Sequence, residues 1–392
     1  MENSHVDIDS PTLADPFKRF SDILSEFQGQ HRFRTIPQDK STAKNIDLTS
    51  NDYLGIAQDE KLADEFIDSG LSASFSSSAS RLLSRQQNAH LALERKLADL
   101  YDKDILLFNS GYHANVGIIQ ALNIPGTIFL CDKLIHASMI DGLGLAKADY
   151  RRWRHNDIAS LETLLEKNRD KERCIIVVES IYSMDGDIAP LSELVSLKKR
   201  YPNMILYVDE AHAVGVRGDK GLGVAEELGV IAYIDILVGT FGKALASSGA
   251  FVTTSPLLKN YFINCSRSFI FSTALPPINS VWTLQVINKM VGMRKERNHL
   301  CMISERFRQG IQEITGKPTS SQSHIVPLII GDAEMAVKLS LRLAERNIDS
   351  LPIRRPTVPP GSERIRFSLS AALSEEQIEY ILNAIKTELN EI

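Results

Sequence analysis

Between residue 49 and about residue 280 the chain alternates short β-rich apolar runs with stretches of helical periodicity. The runs are ILLFN at 105–109, TIFLCD at 127–132, CIIVVE at 174–179, MILYVDE at 204–210, IDILVG at 234–239 and GAFVTT at 249–254. Each is bounded by polar turn residues and separated from the next by a segment of helical pattern. Strands that are apolar on both faces belong inside a sheet covered on both sides, and the intervening helices supply the crossovers that parallel neighbours need. The expected fold is therefore α/β, with a mostly parallel central sheet flanked by helices.

Outside that stretch the pattern changes. Residues 1–16 read as a loose tail, after which Phe17, Phe20, Ile23, Leu24 and Phe27 recur at helical spacing and predict an amphipathic arm that packs on something larger. Beyond residue 280 the order is helix (280–315), strand (324–330), helix (334–346), strand (364–370) and a last helix, an α+β pattern. The expected division is a tail and arm over 1–48, a large domain over 49–280 and a small C-terminal domain over 281–392. No internal repeat is present, and the one biased stretch, SASFSSSAS at 72–80, is too short to be a linker.

Composition removes several classes of function. A formal charge of −5 spread over 392 residues gives no positive field for a phosphate backbone, so nucleic acid is not an expected partner. Cys131, Cys174, Cys265 and Cys301 are far apart and form no CxxC, which points to neither a zinc cage nor a disulfide framework and fits a reducing compartment. No apolar run approaches the roughly 18 residues of a membrane span, and the polar opening lacks the regions of a signal peptide. A cytoplasmic enzyme that uses neither membrane nor metal is expected.

Ligands of open α/β sheets bind at the carboxyl ends of the strands, so the residues after each run carry the functional reading. Ser110-Gly111-Tyr112 enters a helix whose free N–H groups suit a phosphate, although an ordinary strand-to-helix turn has the same look. Asp132 to Ser138 contains His136, and Ser183-Met184-Asp185-Gly186-Asp187 has the composition of a turn. Asp209-Glu210-Ala211-His212 ends a buried strand in two carboxylates and a histidine. No third ligand is near and HExxH is absent, so an acid kept ionised beside a cation is a better reading than a metal site. Thr240-Phe241-Gly242-Lys243 sets one lysine among small and apolar residues, where desolvation would lower its pKa and suit it to Schiff-base chemistry.

One cofactor accounts for all five clusters. Pyridoxal 5'-phosphate requires an amine for its aldehyde, an acid for its ring nitrogen, phosphate donors at a helix start and a flat group against its ring. At about 4 Å and an effective dielectric near 20, an Asp–pyridinium attraction is worth about 4 kcal/mol, or roughly three pKa units, enough to keep the ring nitrogen protonated.

Seven segments in order, Asn51-Asp52-Tyr53-Leu54-Gly55, His90 with Leu93-Glu94, Ser110-Gly111-Tyr112, His136-Ala137-Ser138, Ser183 to Asp187, Asp209 to His212 and Gly242-Lys243-Ala244, resemble the α-oxoamine synthases. These are fold-type I, class II aminotransferase-like enzymes that use pyridoxal phosphate to join an amino acid to an acyl thioester, with loss of carbon dioxide and the thiol. The resemblance covers nearly all of residues 45–375. It implies a homodimer with the active site at the subunit interface. It also implies that Lys243 bonds the cofactor aldehyde and later moves protons at the substrate α-carbon, that Asp209 pairs with the pyridinium, that His212 and Ser183 contact the ring hydroxyl and that His136 stacks on the ring. Ser110, the Gly111 and Tyr112 backbone, Thr240 and a second copy's Thr273 are implied as phosphate contacts. Arg366, with Asn51 and secondarily Arg354, is implied to take the amino-acid carboxylate.

Within the family, Ile353 to Gly361 and Ser323 to Pro327 resemble the branch that condenses L-alanine with a pimeloyl thioester, carried by coenzyme A or a carrier protein, in biotin biosynthesis. Ser76-Ser77-Ser78-Ala79-Ser80-Arg81 departs from a more glycine-rich family pattern, Arg85 stands where glycine is common, and Arg355 replaces a proline. The alternatives are other family branches, such as a 2-amino-3-ketobutyrate ligase or a long-chain acyl synthase, and a non-catalytic scaffold. Retention of Lys243, Asp209 and His212 argues against the scaffold.

Overall fold

The computed structural model describes residues 15–30, 32–36, 45–70 and 73–391. The tail expected over 1–16 lies, apart from Asp15 and Pro16, outside these residues, as does Ser72. A helical arm, α1 (Lys18–Gly29), precedes β1 (Ile46–Asp47) and two further helices, α2 (Glu60–Asp68) and α3 (Asn88–Tyr101). The central sheet is built from β2 (Asp104–Phe108), β3 (Thr127–Asp132), β4 (Tyr150–Trp153), β5 (Arg173–Glu179), β6 (Met204–Asp209), β7 (Ile236–Thr240) and β8 (Ala250–Thr254). Their order across the sheet is β2-β8-β7-β6-β5-β3-β4, and only β8 runs antiparallel to its neighbours.

The strands form where the apolar runs stand because their apolar side chains find a core on each face. In β5, Cys174, Ile176 and Val178 enter the core on one face while Ile175 and Val177 enter that on the other, as a two-residue period requires. The second face is covered by α4 (Gly111–Leu122) and α5 (Ala137–Ala146), which lie against each other. Their sequences are apolar nearly all round, as suits helices enclosed between a sheet and a neighbouring helix.

Residues 325 onward add a three-stranded antiparallel sheet ordered β11-β12-β9, with β9 at Ile325–Ile329, β11 at Leu351–Ile353 and β12 at Arg364–Ser368. The short β10 (Ile348–Asp349) pairs instead with β1, in parallel. The expected helix over 280–315 is two helices, Pro277–Gly292 and Arg294–Thr315, with Met293 between them. One hydrophobic core runs without a break from Leu48 and Tyr53 through Leu206 and Val208 to Phe367 and Ile385, so the large sheet and the C-terminal sheet are welded by shared apolar contacts.

Candidate active site

Strands β2, β3, β5, β6 and β7 point the same way, so their carboxyl ends share one rim. A cavity of about 170 Å³ opens there, lined by Gly111, Tyr112, Asn115, His136, Ser138, Glu179, Asp209, Ala211, His212, Thr240 and Lys243. It lies beside the point where the chain order reverses, since β3 has β4 on one side and β5 on the other, the position at which open α/β sheets leave a crevice.

Lys243 follows β7 and its Nζ lies 2.7 Å from His212 Nε2. His212 Nδ1 is 2.7 Å from the Tyr53 hydroxyl, which donates to Asn51 Oδ1 at 2.8 Å. Arg366 on β12 donates to the same Asn51 oxygen at 3.2 Å through one terminal nitrogen, to Ser368 Oγ at 2.8 Å through the other, and from Nε to the Ser183 carbonyl at 2.7 Å. A continuous polar chain thus links the lysine amine to a buried guanidinium. Its directions assign the tautomer: His212 Nδ1–H donates to Tyr53, leaving Nε2 to accept from Lys243. Burial, followed by the nearby charges of Lys243 and Arg366, holds the His212 imidazole well below its usual pKa and therefore neutral.

On the sheet side, Asp209 ends β6 with its carboxylate bound by the Asn115 amide at 2.8 Å and the Ala211 N–H at 2.9 Å. Asn115 also donates to Ser138 Oγ at 2.9 Å and accepts from the Tyr207 hydroxyl at 2.6 Å. Desolvation by the surroundings lowers the Lys243 amine to about 8, although Asp209 and Glu179 pull it back up. Burial, then the charge of Asp209, pushes the Glu179 carboxyl far above the ordinary range, and its Oε1 is a buried acceptor with no protein partner.

These groups fit pyridoxal phosphate. A low-pKa amine and a held carboxylate face one cavity, the first turn of α4 presents its amides there, and a Cβ at Gly111 would meet only Thr240 Cβ at 3.9 Å, so the protein itself leaves that approach open. Among the described residues no group of His, Cys, Asp and Glu side chains could hold a metal ion.

The structure brings Gly111, Tyr112, His136, Asp209, His212, Thr240 and Lys243 onto the cavity wall. The His136 ring is exposed to the cavity side of its helix start, with Nδ1 2.7 Å from Ser138 Oγ. Ser110 caps α4 just behind the wall, its Oγ accepting from the His113 N–H. Asn51 and Arg366 join the site through the polar chain, whereas Ser183 enters by its carbonyl. Arg354 follows β11 outside the cavity wall, and Thr273 lies on this chain in an isolated bridge with Ser80. Sequence reasoning assigned no role to Tyr53, Asn115 or Glu179. Tyr53 stood inside a quoted motif, and Glu179 ends a strand, but Asn115 looked like any polar residue in a helix. Glu210, ambiguous in the sequence, accepts from the Val224 and Ala225 N–H groups at 3.1 and 2.8 Å and so satisfies the first amides of the short helix Val224–Glu227; burial raises its carboxyl to about 7.

Three further quoted positions are structural. His90 Nδ1 lies 2.8 Å from Ser280 Oγ, and Glu94 takes a two-pronged contact from Arg81 at 2.9 and 3.1 Å. In the serine-rich segment, Ser78 adopts φ +51°, a conformation glycine takes more readily, and its N–H is held by Ser76 Oγ at 3.0 Å.

Residues 43–385 match the family described as aminotransferase class I and II. The chain is 46% identical over 375 residues to a putative 8-amino-7-oxononanoate synthase of Pasteurella multocida (strain Pm70), covering 93% of this chain and 97% of the relative. Its fold is similar to a serine palmitoyltransferase variant from S. paucimobilis with bound PLP and myriocin (TM-score 0.87, 27% identity, 96% of this chain and 99% of that one). It is also similar to the 8-amino-7-oxononanoate synthase of Francisella tularensis (TM-score 0.74, 27% identity, 89% and 99%). With that fold, a cavity fitted to pyridoxal phosphate and relatives of this closeness, the chain belongs to the aminotransferase class I and II family and, within it, to the PLP-dependent α-oxoamine synthases.

Proposed function

We propose that this protein condenses L-alanine with a pimeloyl thioester, of coenzyme A or a carrier protein, to give 8-amino-7-oxononanoate, carbon dioxide and the free thiol. The observation that carries this reading is the polar chain from Lys243 through His212, Tyr53 and Asn51 to Arg366, which joins the amine on the cavity wall to a buried guanidinium suited to a carboxylate. The identity of 46% to a putative synthase of that product supports the choice of acyl group. Bound pyridoxal phosphate supplies an electron sink for bond breaking at the substrate α-carbon.

The protein's part is orientation and proton traffic. Asp209, fixed by Asn115, holds negative charge at the cavity floor where a ring nitrogen is to stay protonated. The α4 start and Thr240 receive the phosphate, and His136 offers a ring face. Arg366 grips the alanine carboxylate, which orients the α-carbon bonds relative to the ring; such charge-assisted contacts are shorter and stronger than neutral ones. The Lys243 amine, partly deprotonated near neutrality and hydrogen-bonded to neutral His212, is placed to take and return a proton at that carbon.

The active unit is a homodimer in this reading, with a second copy's Thr273 completing the phosphate contacts. α1 supports it: Phe17, Phe20 and Leu24 are 69%, 63% and 50% exposed and the helix buries no residue within the chain. No described helix is long and apolar enough to cross a membrane, and action in the cytoplasm is part of the same proposal.

The test is competition among acetyl, octanoyl and pimeloyl thioesters at equal concentration, with product mass spectrometry. Four of pimeloyl's five methylenes have no counterpart in the acetyl methyl group, so full burial would favour it over acetyl by about 3 kcal/mol. Preference for pimeloyl is expected. Preference for octanoyl would move the assignment to a long-chain acyl synthase, a reading that the close superposition on serine palmitoyltransferase makes worth the extra arm. Preference for acetyl would refute the biotin branch.

A further inference from the structure

His155 lies in the turn after β4, away from the cavity wall, between two buried or nearly buried carboxylates. Its Nδ1 is 2.8 Å from Asp132 Oδ1 and its Nε2 is 2.5 Å from Asp187 Oδ2. Both ring nitrogens face carboxylate oxygens, so both carry protons and the ring is an imidazolium. Asn156 doubles the bridge, its N–H donating to Asp132 Oδ2 at 2.9 Å and its amide to Asp187 Oδ2 at 2.8 Å. The edge of Tyr182 packs on the ring at 4.5 Å between centroids.

Asp187 closes a compact loop. Tyr182 N–H donates to the Asp187 carbonyl at 3.0 Å, Gly186 N–H to the Tyr182 carbonyl at 2.9 Å, and Ile181 bridges Ile188. The outer side of this loop holds both arginines of β12. Arg366 Nε donates to the Ser183 carbonyl at 2.7 Å, and Arg364 binds Asp185 Oδ1 at 2.7 Å. The loop also presses on β9: Gly186 has φ +69°, and a Cβ there would fall 1.9 Å from the Ile325 carbonyl oxygen. A cation anchored to the end of β3 therefore sets the position of the loop, and the loop sets the position of the guanidinium.

We infer that His155, bridging Asp132 and Asp187, is a positioning residue for Arg366: it braces the 183–187 loop so that the guanidinium meets the amino-acid carboxylate in register. The inference rests on the proposed role of Arg366. Charge-assisted hydrogen bonds are strong and depend on geometry, so a guanidinium let out of register loses roughly ten- to a hundredfold in its hold on the carboxylate, and the brace acts on amino-acid binding in particular.

The experiment compares His155→Gln, Asp187→Asn, Arg366→Ala and His155→Gln/Arg366→Ala in the PLP-loaded enzyme, after thermal melts establish that each is folded. His155→Gln is expected to raise the alanine KM roughly ten- to a hundredfold. Its kcat at saturating alanine and its acyl thioester KM should change far less, with Asp187→Asn intermediate. Added to Arg366→Ala, His155→Gln should cause no further rise, because the brace acts through that arginine. Should His155→Gln fail to fold, Asp187→Asn, which keeps the Asn156 contact, carries the same KM test. Unchanged alanine KM in a folded variant, or full additivity with Arg366→Ala, would overturn the brace. Unchanged alanine KM in Arg366→Ala itself would overturn the role of Arg366 and the brace with it, which separates the two failures.

Discussion

The Lys243 amine offers a quantitative test of the site. Its surroundings lower it to about 8, with desolvation outweighing the pull of Asp209 and Glu179. Only the neutral amine attacks an aldehyde. At pH 7 a group of pKa near 8 is about one-tenth neutral, whereas a solvated lysine near 10.4 is about 0.04% neutral, so Lys243 holds an advantage of roughly 200-fold in reactive amine. The perturbation is pH itself, from about 6 to 10, applied to apo-protein given limiting pyridoxal phosphate, with borohydride trapping and mass spectrometry of labelled peptides. A short lysine peptide labelled in parallel is the reference for a solvated amine. Uptake at Lys243 should level off above about pH 8 while labelling of the peptide amine continues to climb. Asp209→Asn should move the Lys243 inflection to lower pH, since a carboxylate that raises the amine has been removed. A Lys243 profile parallel to that of the peptide would refute the desolvated-amine argument. Trapping at another lysine in Lys243→Ala would relocate the covalent site.

Three further outcomes are expected. Asn115→Leu takes the acceptor from the Tyr207 hydroxyl, while Asp209 keeps the Ala211 N–H and Ser138 keeps His136 Nδ1, so at about 1 to 3 kcal/mol for an unsatisfied buried group it should destabilise the apo-protein by about that much in calorimetry; a loss under about 1 kcal/mol would show that the hydroxyl finds another partner. Burial alone would push the His155 imidazole down, but hydrogen bonds to Asp132 and Asp187 outweigh it and raise the group to about 10. Because the folded-state pKa is the raised one, the resulting stability, about 2 kcal/mol once solvent screening of a half-buried ring is counted, is complete below about pH 6.5 and disappears as pH rises through 10, a loss that melting curves of wild type against His155→Gln should record. Arg366→Ala should raise the alanine KM more than Arg354→Ala, because the chain through Asn51, Tyr53 and His212 ties Arg366 to Lys243, and the reverse order would exchange their roles.

The strands were legible because each apolar run found two cores, and the period-two division of β5 between them is the same pattern read in space. Strand β4 was not: Tyr150-Arg151-Arg152-Trp153 is a polar edge strand with only Trp153 buried, and charged edge strands protect a sheet from pairing further at the cost of looking like loop. The two-residue β1 and β10 are set by each other across the chain rather than by any local pattern. In the site, residues that follow strand ends lie on one cavity wall because a parallel sheet gathers its carboxyl ends on one rim. Asn115 and Tyr53 act by what they touch, and neither composition nor spacing encodes a hydrogen bond from residue 115 to residue 209.

The contact between Asn51 and Arg366 spans 315 residues. At a synthesis rate of roughly 5 to 20 residues per second, Asn51 is made some 16 to 60 seconds before its partner. The pairing of Lys243 with His212 spans only 31 residues and can form from a single emerging stretch. Chain order therefore makes the residues of the lysine half available well before β12 arrives to supply the guanidinium, and within a single chain the last part of the site to be synthesised has to dock onto a segment made near the start of translation.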